Sequence, residues 1–419
     1  MRRDQFVSII TRLGGKAYLV GGCVRDALMN KTPKDHDYCV IGVAERDFVR
    51  AFPNAERVGV SFPVYLLDID GEVSEIAFAR KEWKSGMGYH GFKFQIDPSI
   101  TIEDDLSRRD TTMNAMAVDL ATGELIDPFN GRIDIERRIV RAINIHFCDD
   151  PTRALRAARQ AAQHGFTVDP YTISMMNKCA KELAHEPRER IFKELKAALG
   201  SRQPSVFFTS MPPLLLEVVF PELKQLIGQS KYYPEGDAFN HVMLVLDRVA
   251  RDTTSKTARF CALFCHDIEK PKLFDIRSLK QKSRTPDLID KIDTRMTLPR
   301  EWKTAAKFVH TFHSMVYTAD DPGIIVHILM EIEKNQLTVD EFRSICSADS
   351  SSREVPLWLL HAEQLLDMFK NIRGADAPRT LRGQDVGRWI DSRRAEVLER
   401  FLLDAASNRN QQQSFRFLF

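Results

Sequence analysis

Residues 20–26, Val-Gly-Gly-Cys-Val-Arg-Asp, link a short apolar run to a helical pattern and decide the fold of the N-terminal region. The run from Ala17 to Val20 predicts a β-strand, and the pattern from about Val24 predicts a helix. Glycines at this junction let backbone N–H groups approach a phosphate at the helix N-terminus, and Arg25 can add charge-assisted hydrogen bonds. Taken alone, the glycines are better explained by a tight turn that needs them for backbone geometry.

A pair of carboxylates just downstream favours a phosphate-binding site over a purely structural turn. Asp35 and Asp37 open the apolar run from Tyr38 to Ile41, which predicts a second strand. Side chains two residues apart on a strand point to the same face, so these two carboxylates can share a hard cation. Mg²⁺ takes oxygen ligands from one or two carboxylates together with phosphate oxygens. Most such pairs are solvated turn residues, but joined to the glycine turn this one favours a phosphoryl-transfer site.

The remaining pattern divides the chain into a mixed N-terminal part and a helical C-terminal part. Two β-like runs, 62–69 and 72–79, meet at Asp70-Gly71, a dipeptide typical of hairpin turns. From Ile133 onward, apolar residues recur at helical spacing almost throughout. The sequence therefore predicts an α+β head with a mixed sheet and helices, followed by an all-α neck, body and tail. The predicted boundaries are 1–131 for the head, 132–200 for the neck, 201–345 for the body and 346–419 for the tail.

Composition bounds the class of protein. The 419 residues are 43% hydrophobic and 28% charged, which is ordinary globular composition and excludes collagen-like and wholly disordered chains. Sixty basic against 58 acidic residues leave a net charge of +2, so a nucleic-acid partner must be met by a local basic surface. No apolar run approaches the roughly 18 residues of a membrane span. Seven scattered cysteines suit reduced thiols, and we expect a cytoplasmic protein.

Ordered motifs carry a family resemblance that covers roughly residues 17 to 200. The segments are 21–26 with 35–37, 108–115, 127–131, 149–159 and 188–195. In this order they resemble the polymerase-β-like nucleotidyltransferase superfamily, and more closely the bacterial-type (class II) CCA-adding tRNA nucleotidyltransferases and their poly(A) polymerase relatives. An ordered set is far more specific than any one motif.

The resemblance implies roles at the catalytic end of the head. Asp35 and Asp37 would hold Mg²⁺. Contacts to the nucleotide triphosphate are implied for Gly22, Arg25 and Arg109. The alternative for Arg109 is a surface ion pair with one of the acidic residues at 103–105.

Three further acidic and polar residues belong to this region. Glu75 lies on a predicted strand that we expect beside the carboxylate pair, and it is a candidate third acidic group or a solvated residue. Asp110 and Asn114 are spaced four residues apart, so in a helix they would share a face. That placement fits the family's use of this segment for the sugar.

The segment 149–159 predicts a helix with two competing interpretations. Pro151 suits the first helical position, which would make Asp150 an N-cap whose carboxylate serves only the backbone. Against this, Arg153, Arg156 and Arg159 recur every third residue, a basic stripe that a buried apolar face does not require.

In the family this helix acts as an amino-acid template that reads the incoming base. Asp150 and Arg153 would read it, and Arg156 and Arg159 would support nucleotide and primer phosphates. A carboxylate accepts from an exocyclic amine while a guanidinium donates to the neighbouring ring atom, a pattern that cytosine and adenine satisfy. Uracil and guanine present a carbonyl in place of the amine and are rejected. The family usually carries Glu where this chain has Asp149.

Two further segments bear on the details of function. Residues 80–91 hold three glycines and several basic residues and predict a mobile loop, in the place of the flexible loop of full CCA-adding members. His241 with residues 265–271 resembles an HD phosphohydrolase domain. Because Glu269 replaces a usual glycine, we expect an HD fold with eroded chemistry, in which His266 and Asp267 are core residues.

The resemblance thus implies template-independent addition of CCA to tRNA 3′ ends from CTP and ATP. Seven arginines against four acidic residues in 132–164 suit an RNA acceptor stem as partner. The alternatives are a poly(A) polymerase, a partial CC- or A-adding enzyme, a non-catalytic RNA-binding protein and an HD phosphodiesterase. Bacterial poly(A) polymerases carry glycine, two basic residues and Phe where this chain has Gly-Val-Ser-Phe at 59–62, which weighs against the first.

Overall fold

The computed structural model has two compact units, Met1–Pro221 and Glu222–Phe419. It describes residues 1–59, 62–86, 91–229, 234–264, 285–350, 352 and 354–416. The first unit combines strands and helices, and the second is helical, which confirms the predicted fold class. The finer boundaries between neck, body and tail stay a prediction. No helix in these ranges is long and apolar enough to cross a membrane.

All strands among the described residues lie in the first unit. They are β1 (Lys16–Val20), β2 (Asp37–Ile41), β3 (Glu56–Val58), β4 (Val64–Ile69), β5 (Glu72–Phe78), β6 (Arg80–Lys84), β7 (Phe92–Ile96), β8 (Ala117–Asp119), β9 (Leu125–Ile126), β10 (Ile139–Val140) and β11 (Thr167–Val168). The main sheet has the order β3-β4-β5-β2-β1-β8-β9, with β2 and β5 parallel and the other neighbours antiparallel. The predicted mixed sheet is therefore confirmed.

Alternation along β2 decides which residues face the site. Tyr38 and Val40 pack with Phe6 and Phe48 in the core on one face of the sheet. Cys39 packs on the other face with Leu106 and its neighbours. Because side chains alternate along a strand, Asp37 lies on the Cys39 face.

The turn between β4 and β5 was predicted from Asp70-Gly71. Both residues have positive φ, 56° for Asp70 and 85° for Gly71. Two consecutive left-handed residues form the type of turn that matches the twist of a two-residue hairpin. The predicted hairpin is confirmed.

The prediction of a loop throughout 80–91 is wrong for its first five residues. Arg80–Lys84 form β6, which pairs with Phe92–Ile96 in a separate two-stranded sheet. Arg80 is buried, stacks 3.4 Å from the Phe62 ring centroid and donates to Glu82, so its charge has a partner inside the fold. Charge in this stretch therefore does not mark a loop. Residues 87–90 lie outside the described residues.

Helices of the first unit surround the sheet and continue beyond it. They are α1 (Arg3–Arg12), α2 (Gly22–Leu28), α3 (Glu45–Ala51), α4 (Ile102–Ser107), α5 (Gly131–Glu136), α6 (Thr152–His164), α7 (Pro170–Cys179), α8 (Arg188–Ala198), α9 (Ser205–Thr209) and α10 (Pro213–Val219), with 3-10 helices at Thr112–Asn114, Ile145–Asp149 and Ala180–His185. A short helix, α11 (Pro221–Lys224), begins at the last residue of this unit. The helix predicted from about Val24 begins at Gly22, directly after the glycine turn.

The second unit is built from helices. They are α12 (Ala238–Asp252), α13 (Lys256–Phe264), α14 (Thr285–Arg295), α15 (Arg300–Phe312), α16 (Pro322–Ile332), α17 (Val339–Asp349), α18 (Leu357–Leu360), α19 (Ala362–Lys370) and α20 (Gln384–Arg416), with 3-10 helices at His313–Tyr317, Glu333–Asn335 and Gly374–Asp376.

The HD resemblance falls largely on residues that the structure leaves undescribed. Residues 265–271, with His266, Asp267 and Glu269, lie outside the described ranges. His241 is described and nearly buried, with its ring nitrogens 3.2 Å from Asp349 and 3.4 Å from Glu235. The expectation of an HD fold with eroded chemistry stays a prediction.

Candidate active site

Three carboxylates lie at the end of the central strands of the sheet, where β2 begins. Asp37 is the first residue of β2, and Glu75 is its direct partner on the parallel strand β5. Asp35 lies in the exposed bend before β2 rather than on the strand, so the prediction of a same-strand pair is wrong. The chain turns at Lys34 and Asp35, and the strand hydrogen bonds start only afterwards. We call Asp35, Asp37 and Glu75 the carboxylate edge.

The electrostatics of the carboxylate edge fit a bound cation. Burial, followed by repulsion from Asp35 and Glu75, raises the pKa of Asp37 to about 6, although Arg109 and His36 act to lower it. No described residue donates a hydrogen bond to the Asp37 carboxylate, and the described chain has no set of three metal-ligating side chains that forms a cage. Two carboxylates completed by substrate phosphates and water are what Mg²⁺ commonly takes. The residues present fit such an ion.

The glycine turn places Arg109 against the backbone. Gly21 has φ +74°, and a Cβ atom there would lie 2.7 Å from Nη1 of Arg109. Glycine is therefore needed both for the backbone conformation and for the close approach. Arg109 also forms an ion pair of 3.1 Å with the buried Asp105. The ion-pair alternative is therefore confirmed, with a buried partner rather than a surface one, while the implied contact of Arg109 with the triphosphate stays a prediction.

Arg25 connects α2 with the segment after Arg109. Its Nη1 donates to Oδ1 of Asn114 at 2.7 Å, and its Nε donates to Asp26 at 2.9 Å. Asn114 in turn donates to Asp110 at 3.1 Å. The expected helix over these residues is wrong, because only Thr112–Asn114 form a 3-10 turn. The turn still brings Asp110 and Asn114 together, since each satisfies the other's buried polar atoms.

Asp110 binds α6 to the head. Its Oδ2 accepts from Nε of Arg156 at 2.8 Å and from Gln160 at 3.0 Å. Burial alone would raise the pKa of Asp110, but Arg156 and the Asn114 hydrogen bond outweigh it and hold that pKa well below its usual range. Arg156, which is partly exposed, therefore forms an ion pair with the buried Asp110 and is not a free cation.

Asp150 contacts the start of α6, while its proposed reading of the base stays a prediction. Its Oδ1 accepts from the backbone N–H of Thr152 at 3.0 Å and from the Thr152 hydroxyl at 2.7 Å, although the N-cap position itself is Pro151 and not Asp150. Its Oδ2 accepts from Arg190 at 2.7 Å. Burial acts to raise the pKa of Asp150, but these bonds lower it. Asp150 also lines the cavity described below.

The other two arginines of α6 are held in different ways. Arg153 donates to the backbone carbonyls of His146 and Arg108, at 2.8 and 2.7 Å. Arg159 donates to Glu194 at 2.5 Å and to Gln163 at 2.6 Å. Arg153 therefore keeps its charge for a ligand, whereas Arg159 shares its charge with a carboxylate.

One cavity of about 400 Å³, all within the first unit, brings these groups together. We call it the nucleotide cavity. It is lined by residues from β2, α2, α6, α8 and the segment after α4, namely Gly21, Gly22, Arg25, Asp37, Arg108, Arg109, Asp110, Asn114, Asp150, Arg153, Arg156, Arg159 and Arg190.

Most of the predicted site residues lie at this cavity. Asp35 and Glu75 do not line it, and they act on it through their effect on Asp37. Sequence reasoning assigned no role to Arg108 or Arg190. For Arg190 a signal existed, since residues 188–195 carry part of the resemblance, but its partner Asp150 is 40 residues away in sequence.

Comparison with known proteins gives consistent matches along the chain. Residues 17–141 match the family model described as the poly A polymerase head domain, and residues 165–227 match one described as a probable RNA and SrmB-binding site of polymerase A. The chain is 34% identical to the multifunctional CCA protein of Haemophilus ducreyi, over 80% of this chain and 85% of that protein. It is 35% identical to the multifunctional CCA protein of Laribacter hongkongensis, over 87% of this chain and 93% of that protein.

A solved structure shares the fold. A CCA-adding enzyme in an apo form superposes with a TM-score of 0.67 at 22% identity, covering 97% of this chain and 95% of that one. At this identity the similarity shows the fold alone.

Proposed function

This chain belongs to the family of CCA-adding enzymes, which are tRNA nucleotidyltransferases, and on that premise we propose that it adds CCA to tRNA 3′ ends from CTP and ATP without a nucleic-acid template. Solved CCA-adding enzymes of this fold include complexes with CTP and with tRNA. The observation that carries the proposal is that one cavity joins Asp37, the glycine turn with Arg109, and the pair Asp150 and Arg153.

At the carboxylate edge, the protein would hold the phosphates and a cation. The superfamily generally uses divalent metal ions, and we propose Mg²⁺ held by Asp35 and Asp37. When bound, the ion supplies electrostatic stabilisation of charge on the transferred phosphoryl group. Glu75 adds negative charge beside Asp37, which favours the cation. The backbone at Gly22, with Arg25 and Arg109, would bind the triphosphate by charge-assisted hydrogen bonds.

At the other end of the cavity, Asp150 and Arg153 would read the base. Each carboxylate oxygen has two acceptor sites. Oδ1 of Asp150 uses both on Thr152, whereas Oδ2 uses one on Arg190 and keeps one for an exocyclic amine. Two N–H groups of Arg153 donate to backbone carbonyls, and its other N–H groups would donate to a ring nitrogen or carbonyl of the base. Cytosine and adenine satisfy this pair, and uracil and guanine leave it unpaired.

Arg156 and Arg159 would act as positioning residues. Their ion pairs with Asp110 and Glu194 fix α6 between the head and α8, so that Asp150 and Arg153 keep their orientation. Their remaining donors line the cavity and would add to the positive field around the nucleotide and primer phosphates.

A cytoplasmic location completes the proposal. Six of the seven cysteines lie in the described ranges, and each of those is a free thiol. Free thiols suit a reducing compartment, which is also where tRNA is available.

One assay tests the function. The full-length protein is incubated with tRNA that ends before CCA, labelled CTP or ATP, and Mg²⁺, and the products are resolved at single-nucleotide length. Extension by C, C and A with nothing beyond supports the proposal. A long A tail would indicate a poly(A) polymerase, arrest after CC or addition of A alone would indicate a partial enzyme, and no extension would contradict catalysis.

A further inference from the structure

The hairpin of β6 and β7 exposes an aromatic ring between two lysines. Trp83 is directly opposite Lys93, and Lys81 is opposite Gln95. Side chains two residues apart on a strand share a face, so these four residues form one face of the hairpin, which we call the hairpin face. Trp83 is 44% exposed and the Lys81 side chain 53% exposed. An exposed aromatic ring offers a flat surface on which an unpaired base can stack.

A second cavity adjoins the hairpin face. It has a volume of about 320 Å³ and is lined by Lys81, Trp83, Phe92 and His146, together with Arg108 and Arg153. The last two residues also line the nucleotide cavity, so the two cavities meet at these guanidinium groups. A ligand in the second cavity would therefore lie next to the incoming nucleotide.

Lys93 on the hairpin face offers a positive charge next to Phe92, which lines the second cavity. Of the acidic residues that line this cavity, Glu82 forms ion pairs with Arg80 and Arg108, and Asp104 forms one with Lys81. Asp149 forms a hydrogen bond with the His146 ring. Lys93 has no ion pair with any residue that the structure describes. The positive charge of Lys93 is thus left for a phosphate.

The hairpin is held rigidly enough to present this face. Glu82 lies 3.2 Å from Arg108, which ties the middle of β6 to the wall of the nucleotide cavity. Lys84 forms an ion pair with Glu182, which ties the end of β6 to the 3-10 helix at Ala180–His185. Binding to the hairpin face therefore acts on a surface that is already positioned relative to Arg108 and Arg153.

We propose that the hairpin face and the second cavity bind an unpaired nucleotide of the RNA 3′ end, with its base stacked on Trp83 and its phosphate beside Lys93. The inference rests on the proposed function, which supplies the RNA. Proteins recognise single-stranded RNA by stacking unpaired bases on aromatic rings and by tracking the phosphates with basic groups. The second cavity has neither a glycine turn nor a carboxylate edge, so a second triphosphate is not the expected ligand.

The first test separates RNA binding from nucleotide binding. Trp83→Ala in the full-length protein should raise the KM for tRNA lacking CCA by about 10-fold, as expected for loss of one stacked base. The KM for CTP and the value of kcat should stay within about 2-fold of the wild type. Trp83→Phe should restore most of the loss, because a smaller ring still stacks. The matched control is Tyr171→Ala on α7, since Tyr171 is also 44% exposed and lines neither cavity.

A second measurement does not depend on catalysis. Trp302 and Trp358 are each 3% exposed, so quenching of exposed tryptophan fluorescence reports mainly on Trp83 and Trp389. Tryptophan fluorescence should fall on titration with tRNA lacking CCA, and Trp83→Phe should remove most of this change. Blunt-ended duplex RNA, which has no unpaired nucleotide, should produce little quenching.

The outcomes are distinguishable. An unchanged KM for tRNA in Trp83→Ala, or a rise in the KM for CTP instead, would overturn the inference and leave the proposed function intact. A wild-type protein that extends no tRNA would defeat the proposed function, while the fluorescence titration would still decide whether Trp83 binds RNA. Quenching that is equal for duplex and single-stranded ends would also overturn the inference.

Discussion

The two ends of the nucleotide cavity handle charge in opposite ways. At the carboxylate edge, burial and the neighbouring carboxylates raise the pKa of Asp37. At the proposed template end, which comprises α6 and its contacts, Asp110 is buried and Asp150 partly buried, yet arginine partners lower the pKa of each. The template end is therefore complete within the protein and fixed before a nucleotide arrives. The carboxylate edge is left with excess negative charge, which a cation and a substrate would neutralise.

The largest expected effect comes from removing a carboxylate from the carboxylate edge. Asp37→Ala should lower CTP and ATP incorporation by about 10³-fold or more, because the cation loses a ligand at the reacting phosphate. Incorporation is measured with labelled nucleotides and tRNA lacking CCA. The affinity for tRNA should stay nearly unchanged, since Asp37 lies at the nucleotide cavity.

A matched control for this variant is Glu136→Ala, which removes an exposed carboxylate on α5 outside the cavity. It should retain wild-type incorporation. Equal activity in Asp37→Ala and the wild type would remove Asp37 from the proposed cation site.

The next largest effect is expected from a variant that removes the ion pair between Asp110 and Arg156 at the template end. Asp110→Asn replaces the buried carboxylate that binds the partly exposed Arg156 and should lower the free energy of unfolding by about 2 kcal/mol at pH 7. Because the pKa of Asp110 is depressed in the folded state, its contribution is present above the unfolded pKa near 3.8 and is lost as pH falls. The difference in stability between wild type and variant should therefore stay nearly constant from pH 7 to pH 5 and narrow below about pH 4. Urea denaturation at pH 7, 5 and 3 measures it, and a difference that does not narrow at pH 3 would contradict the ion-pair account.

A smaller effect separates base reading from helix capping. Asp150→Ala should lower CTP efficiency by about one to two decades, since it removes a charge-assisted bond worth roughly 1.5–3 kcal/mol. UTP, which never makes that bond, should lose far less, so discrimination against UTP should shrink. Single-nucleotide incorporation with CTP, ATP and UTP side by side measures the ratio.

Asp169→Ala is the matched capping control for that experiment. Asp169 caps α7 by accepting from two backbone N–H groups, and it lies outside the cavity. This variant should lose stability without changing the CTP-to-UTP ratio. If Asp150→Ala behaved in the same way, Asp150 would be a cap and not a reader of the base.

The smallest expected effect is a change in stability when the Asp37 carboxylate is replaced by a neutral amide. Since the pKa of Asp37 is raised to about 6, the wild type loses stability as pH rises from about 4 through 6, relative to a neutral side chain. Asp37→Asn should therefore be more stable than the wild type by about 1–2 kcal/mol at pH 7, and the gain should shrink at pH 5. Thermal unfolding at the two pH values tests the sign.

Added Mg²⁺ provides a further readout of the same variant. The ion should raise the unfolding temperature of the wild type more than that of Asp37→Asn, because it binds the folded carboxylate edge. An equal rise in both proteins would indicate that the ion binds elsewhere.

Local sequence signals predicted much of the fold. The glycine turn, the Asp70-Gly71 hairpin and the helix at 152–164 each depend on residues that are neighbours in the chain, so their patterns are visible in the sequence. The strand Arg80–Lys84 was missed, because it is stabilised by pairing with Phe92–Ile96 and by the contact of Arg80 with Phe62, which composition does not reveal.

The sequence by itself determined the head with its carboxylates, the template helix and the family. Only the tertiary structure decided that Glu75 lies opposite Asp37, that Arg190 binds Asp150, and that Arg156 binds Asp110. The physical reason is the distance along the chain: backbone conformation is encoded by adjacent residues, whereas strand register and buried ion pairs arise only when packing brings remote segments together.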